Sequence, residues 1–243
     1  MNRSPSLKIA IALGIMWATI TVGGGIAQAG GTTSLDKLVS EGIVVALPVA
    51  AALLLVSVVV GGWRRAVGLT TPRNLKSALL PALFVLALLG LAAASGLPGS
   101  EILTRIAINT AFVGISEELM FRGVLLAPLV ERFGIRRGVL FGALAFGAVH
   151  SLNALATGEL GPAIAQSVLA IGMGLWAARL RLATDSLFAP IILHGLWDFA
   201  LIAVIAGGGT TTLTLTASLA ALVGAIGLGI VAWRGLGALT PAR

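Results

Sequence analysis

The sequence predicts an all-α membrane protein of about eight spanning helices with both termini cytoplasmic. Apolar residues fill 58% of the 243 positions and charged residues 10%, where a soluble domain carries about a quarter charged residues. Mean hydropathy is +1.05, and apolar runs of about 20 residues, the length that crosses hydrocarbon, recur along the whole chain. The basic residues fall almost entirely in alternate gaps between these runs. Thirty-two glycines suit close helix approach in lipid.

The first run, 8–29, follows Arg3 and Lys8. The second, 42–62, contains Pro48 and is followed by Arg64, Arg65, Arg73 and Lys76. The third, 79–97, holds Pro81 in its first turn, and the fourth, 102–127, stops at Pro128 before Arg132, Arg136 and Arg137. The fifth is 137–155, and the sixth, 161–179, opens near Pro162 and ends at Arg179 and Arg181. The seventh, 184–206, contains Pro190, and the eighth, 213–233, is closed by Arg234, with Arg243 beyond it. Neighbouring helices can satisfy the backbone groups that the prolines free. Thirteen of the sixteen basic residues thus fall on one side, Lys37 and Arg105 on the other, and Arg122 inside a run. The positive-inside rule makes the first side cytoplasmic. Arg64–Ser77 is long enough for a short interfacial helix. A rival reading takes the first run as a signal peptide cleaved after Ala27-Gln28-Ala29. Its length and the preserved alternation of sides favour a retained span.

The net charge of +7 does not indicate a nucleic-acid partner, because the basic residues sit in short loops where orientation signals belong. The absence of cysteine excludes disulfides, thiol catalysis, Cys-ligated zinc and S-acylation of this chain.

Against this apolar background stand Glu117, Glu118, Arg122 and Asp198, with the chain's only two histidines, His150 and His194. A central charged side chain costs about 2.5–3.5 kcal/mol on insertion scales, so the four charges together represent on the order of 10 kcal/mol. A bundle that only had to pack would not carry them. At 1.5 Å per residue from the nearest arginine, Glu117 lies about 22 Å deep, His150 and His194 about 20 Å and Asp198 about 26 Å. His194 and Asp198 share a helix face, as do Glu118 and Arg122, which can pair. Glu117 then points about 100° away from that pair, toward another partner. Phe146, four residues before His150, is expected to pack.

At these residues the chain resembles the CPBP family of polytopic membrane proteins, the type II CAAX prenyl endopeptidases and bacteriocin-processing and immunity proteins. The family motifs E-E-x-x-x-R, F-x-x-x-H and H-x-x-x-N/D read here Glu117-Glu118-x-x-x-Arg122, Phe146-x-x-x-His150 and His194-x-x-x-Asp198, in order and on separate runs. The resemblance covers roughly 101–206. It implies a peptidase core in which Glu117 activates water, His150 and His194 bind a metal or stabilise the oxyanion, and Glu118 with Arg122 braces the site. It divides the chain into N-terminal helices (1–100), a catalytic core (101–206) and a last helix with its tail (207–243).

Peptide hydrolysis needs a polarised carbonyl, an activated water and a donor to the leaving amine. Two imidazoles and a carboxylate also match a zinc site with an open position. Under that scheme His150, His194 and Asp198 are the ligands of a divalent metal such as zinc; the metal-independent route stays open. Asp198 stands where the family also has Asn. An ionised aspartate would repel an oxyanion, which favours metal ligation or orientation of His194. The expected partners are a peptide or protein substrate in or at the membrane and the lipid bilayer, in a bacterial-type cytoplasmic membrane. Two other classes fit the same residues: a catalytically silent scaffold or immunity-type protein, and a proton-coupled transporter. The lack of an internal repeat and the grouping of the polar residues at one level speak against the transporter.

Overall fold

A computed structural model of the chain describes residues 4–30 and 34–239. Arg3 and Arg243, two of the orientation signals, lie outside the described residues. Among the described residues all regular structure is helical: α1 (Leu7–Ala29), α2 (Leu35–Glu41), α3 (Ala46–Val60), α4 (Leu79–Ala94), α5 (Ser100–Glu118), a π-helical segment (Leu119–Leu125), α6 (Leu126–His150), α7 (Asn153–Thr157), α8 (Leu160–Thr184), α9 (Phe188–Ala206) and α10 (Thr211–Gly235). Side chains cap two of the long helices. Ser6 accepts from the Ile9 N–H at the start of α1, and Thr210 from the Leu213 N–H at the start of α10.

The stretch Ser100–Thr157 is helical over 58 residues. At 1.5 Å per residue it would measure about 87 Å, far beyond a bilayer. It does not run straight. Gly134 has φ 79° and ψ 166°, a left-sided conformation open to glycine, and the chain turns back there. Gly138 lies so close to the Val130 backbone that a Cβ would come within 2.8 Å of it. Further along, Phe146 packs on Phe121 with centroids 5.0 Å apart, and His150 reaches Glu117. The pairs 130/138, 121/146 and 117/150 are all centred between residues 133 and 134 or on 134, so the two arms are antiparallel.

Among the described residues six helices are long and apolar enough to cross a membrane, and a seventh crossing results if α2 and α3, bent by 87°, form one broken span. Dividing Ser100–Thr157 at Gly134 yields the eighth, so an even number of crossings leaves both described ends on the same side. The expected second span, 42–62, is corrected in form. Residues 42–45 are not α-helical, and α3 has only 15 residues, about 22 Å of rise. Asn109 of α5 holds the bend. Its Nδ2 donates to the Val39 and Gly42 carbonyls at 2.8 and 2.7 Å, and its Oδ1 accepts from the Val44 N–H at 2.9 Å. The backbone groups freed by the break are thereby satisfied without water.

No interfacial α-helix forms between Arg64 and Ser77; the stretch has turns and one 3-10 turn, Leu75–Ala78. Its backbone is committed elsewhere. The Gly68 carbonyl accepts from the Leu187 N–H, the Arg73 N–H donates to the Thr184 carbonyl, and the buried Arg181 donates to the carbonyls of Ala66 and Val67. Arg179 and Arg181 correspondingly belong to the last turns of α8 rather than to a loop. These contacts, with the Ser4 hydroxyl bonded to Glu131 and Gly235 packed on Arg179, gather the arginine-bearing segments at one end of the bundle. Residues 34–45, 95–99 and 151–160 make up the other end.

Candidate active site

Backbone proximity sets the site. At Gly114 of α5 a Cβ would fall 2.7 Å from the Ile191 carbonyl, and at Gly195 of α9 another would fall 3.1 Å from the Thr110 carbonyl. Only hydrogen at these positions lets α5 and α9 touch, and the touch brings His194 beside Glu118. Immediately after the two glutamates the helix widens into the π-helical segment. Pro128 follows it; lacking an N–H and clashing with the carbonyl four residues earlier, it disfavours regular α turns there.

The polar residues expected to meet do meet. Glu117 Oε2 lies 3.8 Å from Nε2 of His150 and 3.8 Å from Nε2 of His194. His194 Nε2 is also 3.4 Å from Asp198 Oδ2. His150 Nδ1 is 2.7 Å from the Phe146 carbonyl, which can only accept, so Nδ1 carries the proton and Nε2 is turned toward Glu117. Glu117 Oε2 is buried and has no hydrogen-bond partner. A buried carboxylate oxygen without a donor is costly unless a ligand or water completes it.

Glu118 does more than the expected bracing. It is fully buried, and its Oε1 accepts from His194 Nδ1 at 2.7 Å while Arg122 Nη1 stands 3.0 Å away. The arginine is close without being aligned as a hydrogen-bond donor, so the attraction is chiefly charge on charge. Its guanidinium also lies 3.9 Å above the Phe146 ring. Phe146 therefore does more than pack: it carries Arg122 on its face, fixes His150 through its carbonyl, and contacts both imidazoles edge-on.

Three observations bear on how these groups come together. First, no single helix joins Arg181 to His194, so the depth expected from that spacing does not hold. α8 ends at Thr184 and α9 begins at Phe188, so His194 sits only six residues, about 9 Å, into its helix. Equal depth from the nearest arginine was thus not the reason these groups meet; the inset α8–α9 connection and the α5–α9 glycine contact are. Second, a cavity of about 130 Å³ reaches Glu117 and His150 but is not lined by His194 or Asp198. Third, among the described residues no group of three His, Asp or Glu side chains is arranged to hold a metal. In this arrangement His150 faces Glu117, and Asp198 faces His194.

Two contributors escaped the sequence reading. Trp17 of α1 donates its indole N–H to Ser116 Oγ at 2.6 Å and packs edge-on against Phe121, anchoring α1 beside Glu117. Asn109 was legible in principle, being a polar residue inside a span two helical turns before Glu117; Trp17, an ordinary membrane residue, carried no such signal.

An all-α polytopic bundle that buries two glutamates, two histidines and an arginine in mutual contact inside its spanning region belongs to the class of membrane proteins with an intramembrane acid–histidine site. Residues 99–200 match the family model described as type II CAAX prenyl endopeptidase Rce1-like. Over this region the chain is similar to the CPBP family of intramembrane peptidases, and the match supports that resemblance. No curated protein and no solved structure matches the chain.

Proposed function

We propose that the protein is an endopeptidase that hydrolyses a peptide bond of a membrane-associated substrate, with Glu117 as general base. The observation that carries this reading is the unpartnered, buried Oε2 of Glu117, at the floor of a cavity and facing two imidazoles. A water in the cavity gives its proton to Glu117 as its oxygen attacks the scissile carbonyl carbon. The carbonyl electron pair moves onto oxygen, where the Nε2–H of a doubly protonated His194, its Nδ1–H donated to Glu118, meets the developing charge. The C–N bond then breaks and the leaving nitrogen takes the proton from Glu117. His150, with its proton committed to the Phe146 carbonyl, presents a lone pair that orients the water. Glu118, Arg122 and Phe146 hold the imidazoles in place.

The test is cleavage of a peptide library by purified protein in proteoliposomes, with products identified by mass. Specific fragments are expected; intact peptides together with a proton flux would favour a transporter. In this scheme no step passes through a metal, so cleavage is expected to survive dialysis against a strong chelator. Loss on chelation with recovery on adding zinc would reassign the chemistry.

Asp198 acts here through His194. Asp198→Asn keeps an acceptor near His194 Nε2 and is expected to stay within a few-fold of the parent. Asp198→Ala removes it. A hydrogen bond to a charged group contributes about 1.5 kcal/mol at its lower end, so kcat should fall about tenfold with KM little changed. Equal, full activity in both variants would take Asp198 out of the mechanism.

A further inference from the structure

We infer that the substrate of this site is an uncharged, apolar peptide segment presented from the face opposite the arginine-rich loops. The inference rests on the peptidase reading and adds to it the side of access and the chemistry of the bound segment. The cavity begins at Glu117 and His150 and runs away from the arginine-bearing end. Its far walls are Leu38 and Val39 of α2, Val44 in the bend, and Asn153 and Ala156 of α7. All of these stand at the end of the bundle that holds residues 34–45 and 151–160. In the other direction the path is filled. Met120, Phe121, Arg122, Val124 and Phe146 are buried on the arginine side of Glu117, and Val67 and Leu187 close over Gly123.

The walls are apolar, with Thr21 and Asn153 the polar exceptions beyond the two catalytic groups, and among the described residues no lysine or arginine lines the cavity. A segment ending in a free carboxylate would have no cation to meet it there, whereas a run of small apolar side chains fits. About 130 Å³ is room for on the order of ten waters, enough to admit small apolar side chains. By the positive-inside rule the open face is the non-cytoplasmic one.

The chain has no cysteine, so single reporters can be placed cleanly. Val39→Cys and Asn153→Cys mark the cavity, and Arg132→Cys marks the arginine-rich end. A membrane-impermeant maleimide is applied to sealed vesicles of each orientation. The cavity cysteines are expected to react only in the orientation in which Arg132→Cys does not. Reaction from the same face as Arg132→Cys, or from neither face while reacting in detergent, overturns the proposed access. In a second arm, a Lys-flanked Leu/Ala/Val peptide with an amidated C-terminus and a quenched fluorophore is supplied from one face at a time. Cleavage is expected only from the face that labels the cavity, and in the Glu117→Gln background the same peptide should protect Asn153→Cys from the maleimide. Cleavage from the arginine face overturns the inference and leaves the peptidase reading standing. Protection without any cleavage by the parent protein overturns the peptidase reading and leaves the binding side standing.

Discussion

Replacing Glu117 by Gln is expected to abolish cleavage while leaving the fold intact. A positioned general base contributes about 10²–10⁴-fold, and the amide cannot take the proton from water. The substitution is nearly isosteric, and Oε2 makes no hydrogen bond that the change would break. The unfolding midpoint in detergent should therefore match the parent while product formation falls by at least two orders of magnitude. The neighbouring Glu118→Gln serves as contrast. There the carboxylate is fully buried between His194 and Arg122, so stability and activity should fall together. If Glu117→Gln retained parental cleavage, water activation would have to be assigned to another group.

The second large effect belongs to Arg122. Its side chain is 2% exposed and faces a Glu118 side chain with no exposure at all. Removing one member of a buried pair costs about 3–5 kcal/mol, because the remaining charge stays in a medium that cannot solvate it. Arg122→Met, which keeps length and apolar volume, should lower stability by that amount in reversible denaturation in detergent. The double variant Glu118→Gln with Arg122→Met should recover much of the loss, since no orphan carboxylate remains. An Arg122→Met protein as stable as the parent would show that Glu118 is neutralised by something other than this arginine. Activity is the second readout. Arg122 also rests on Phe146, whose carbonyl orients His150, so the single variant should lose activity even below its unfolding temperature.

The position of each span was legible in hydropathy because about 20 apolar residues can do little else in water or lipid. The grouping of arginines was legible because orientation is written in short loops. What hydropathy cannot register is local departure from a straight helix. The 87° bend between α2 and α3 looks, in composition, like the start of a plain span, and only Asn109 on another helix makes it tolerable. The widened turn at Leu119–Leu125 is likewise invisible to a pattern read at 100° per residue. The sequence distance from Arg181 to His194 misjudged depth for a related reason: a connection folded inward, with Leu187 fully buried, adds residues without adding rise.

By itself, then, the amino-acid sequence determined an all-helical membrane protein and singled out Glu117, Glu118, Arg122, Phe146, His150, His194 and Asp198 as a group, because charged and imidazole side chains are too costly in lipid to be there without partners. Which partner each one takes was decided only in three dimensions. Two glycines let α5 and α9 close to backbone contact, a positive φ at Gly134 folds the α5–α6 hairpin so that Glu117 meets His150, and Trp17 fastens α1 over the cavity. Such contacts join residues up to about a hundred positions apart. Their energies depend on distances of a few ångströms that no periodicity along the chain encodes.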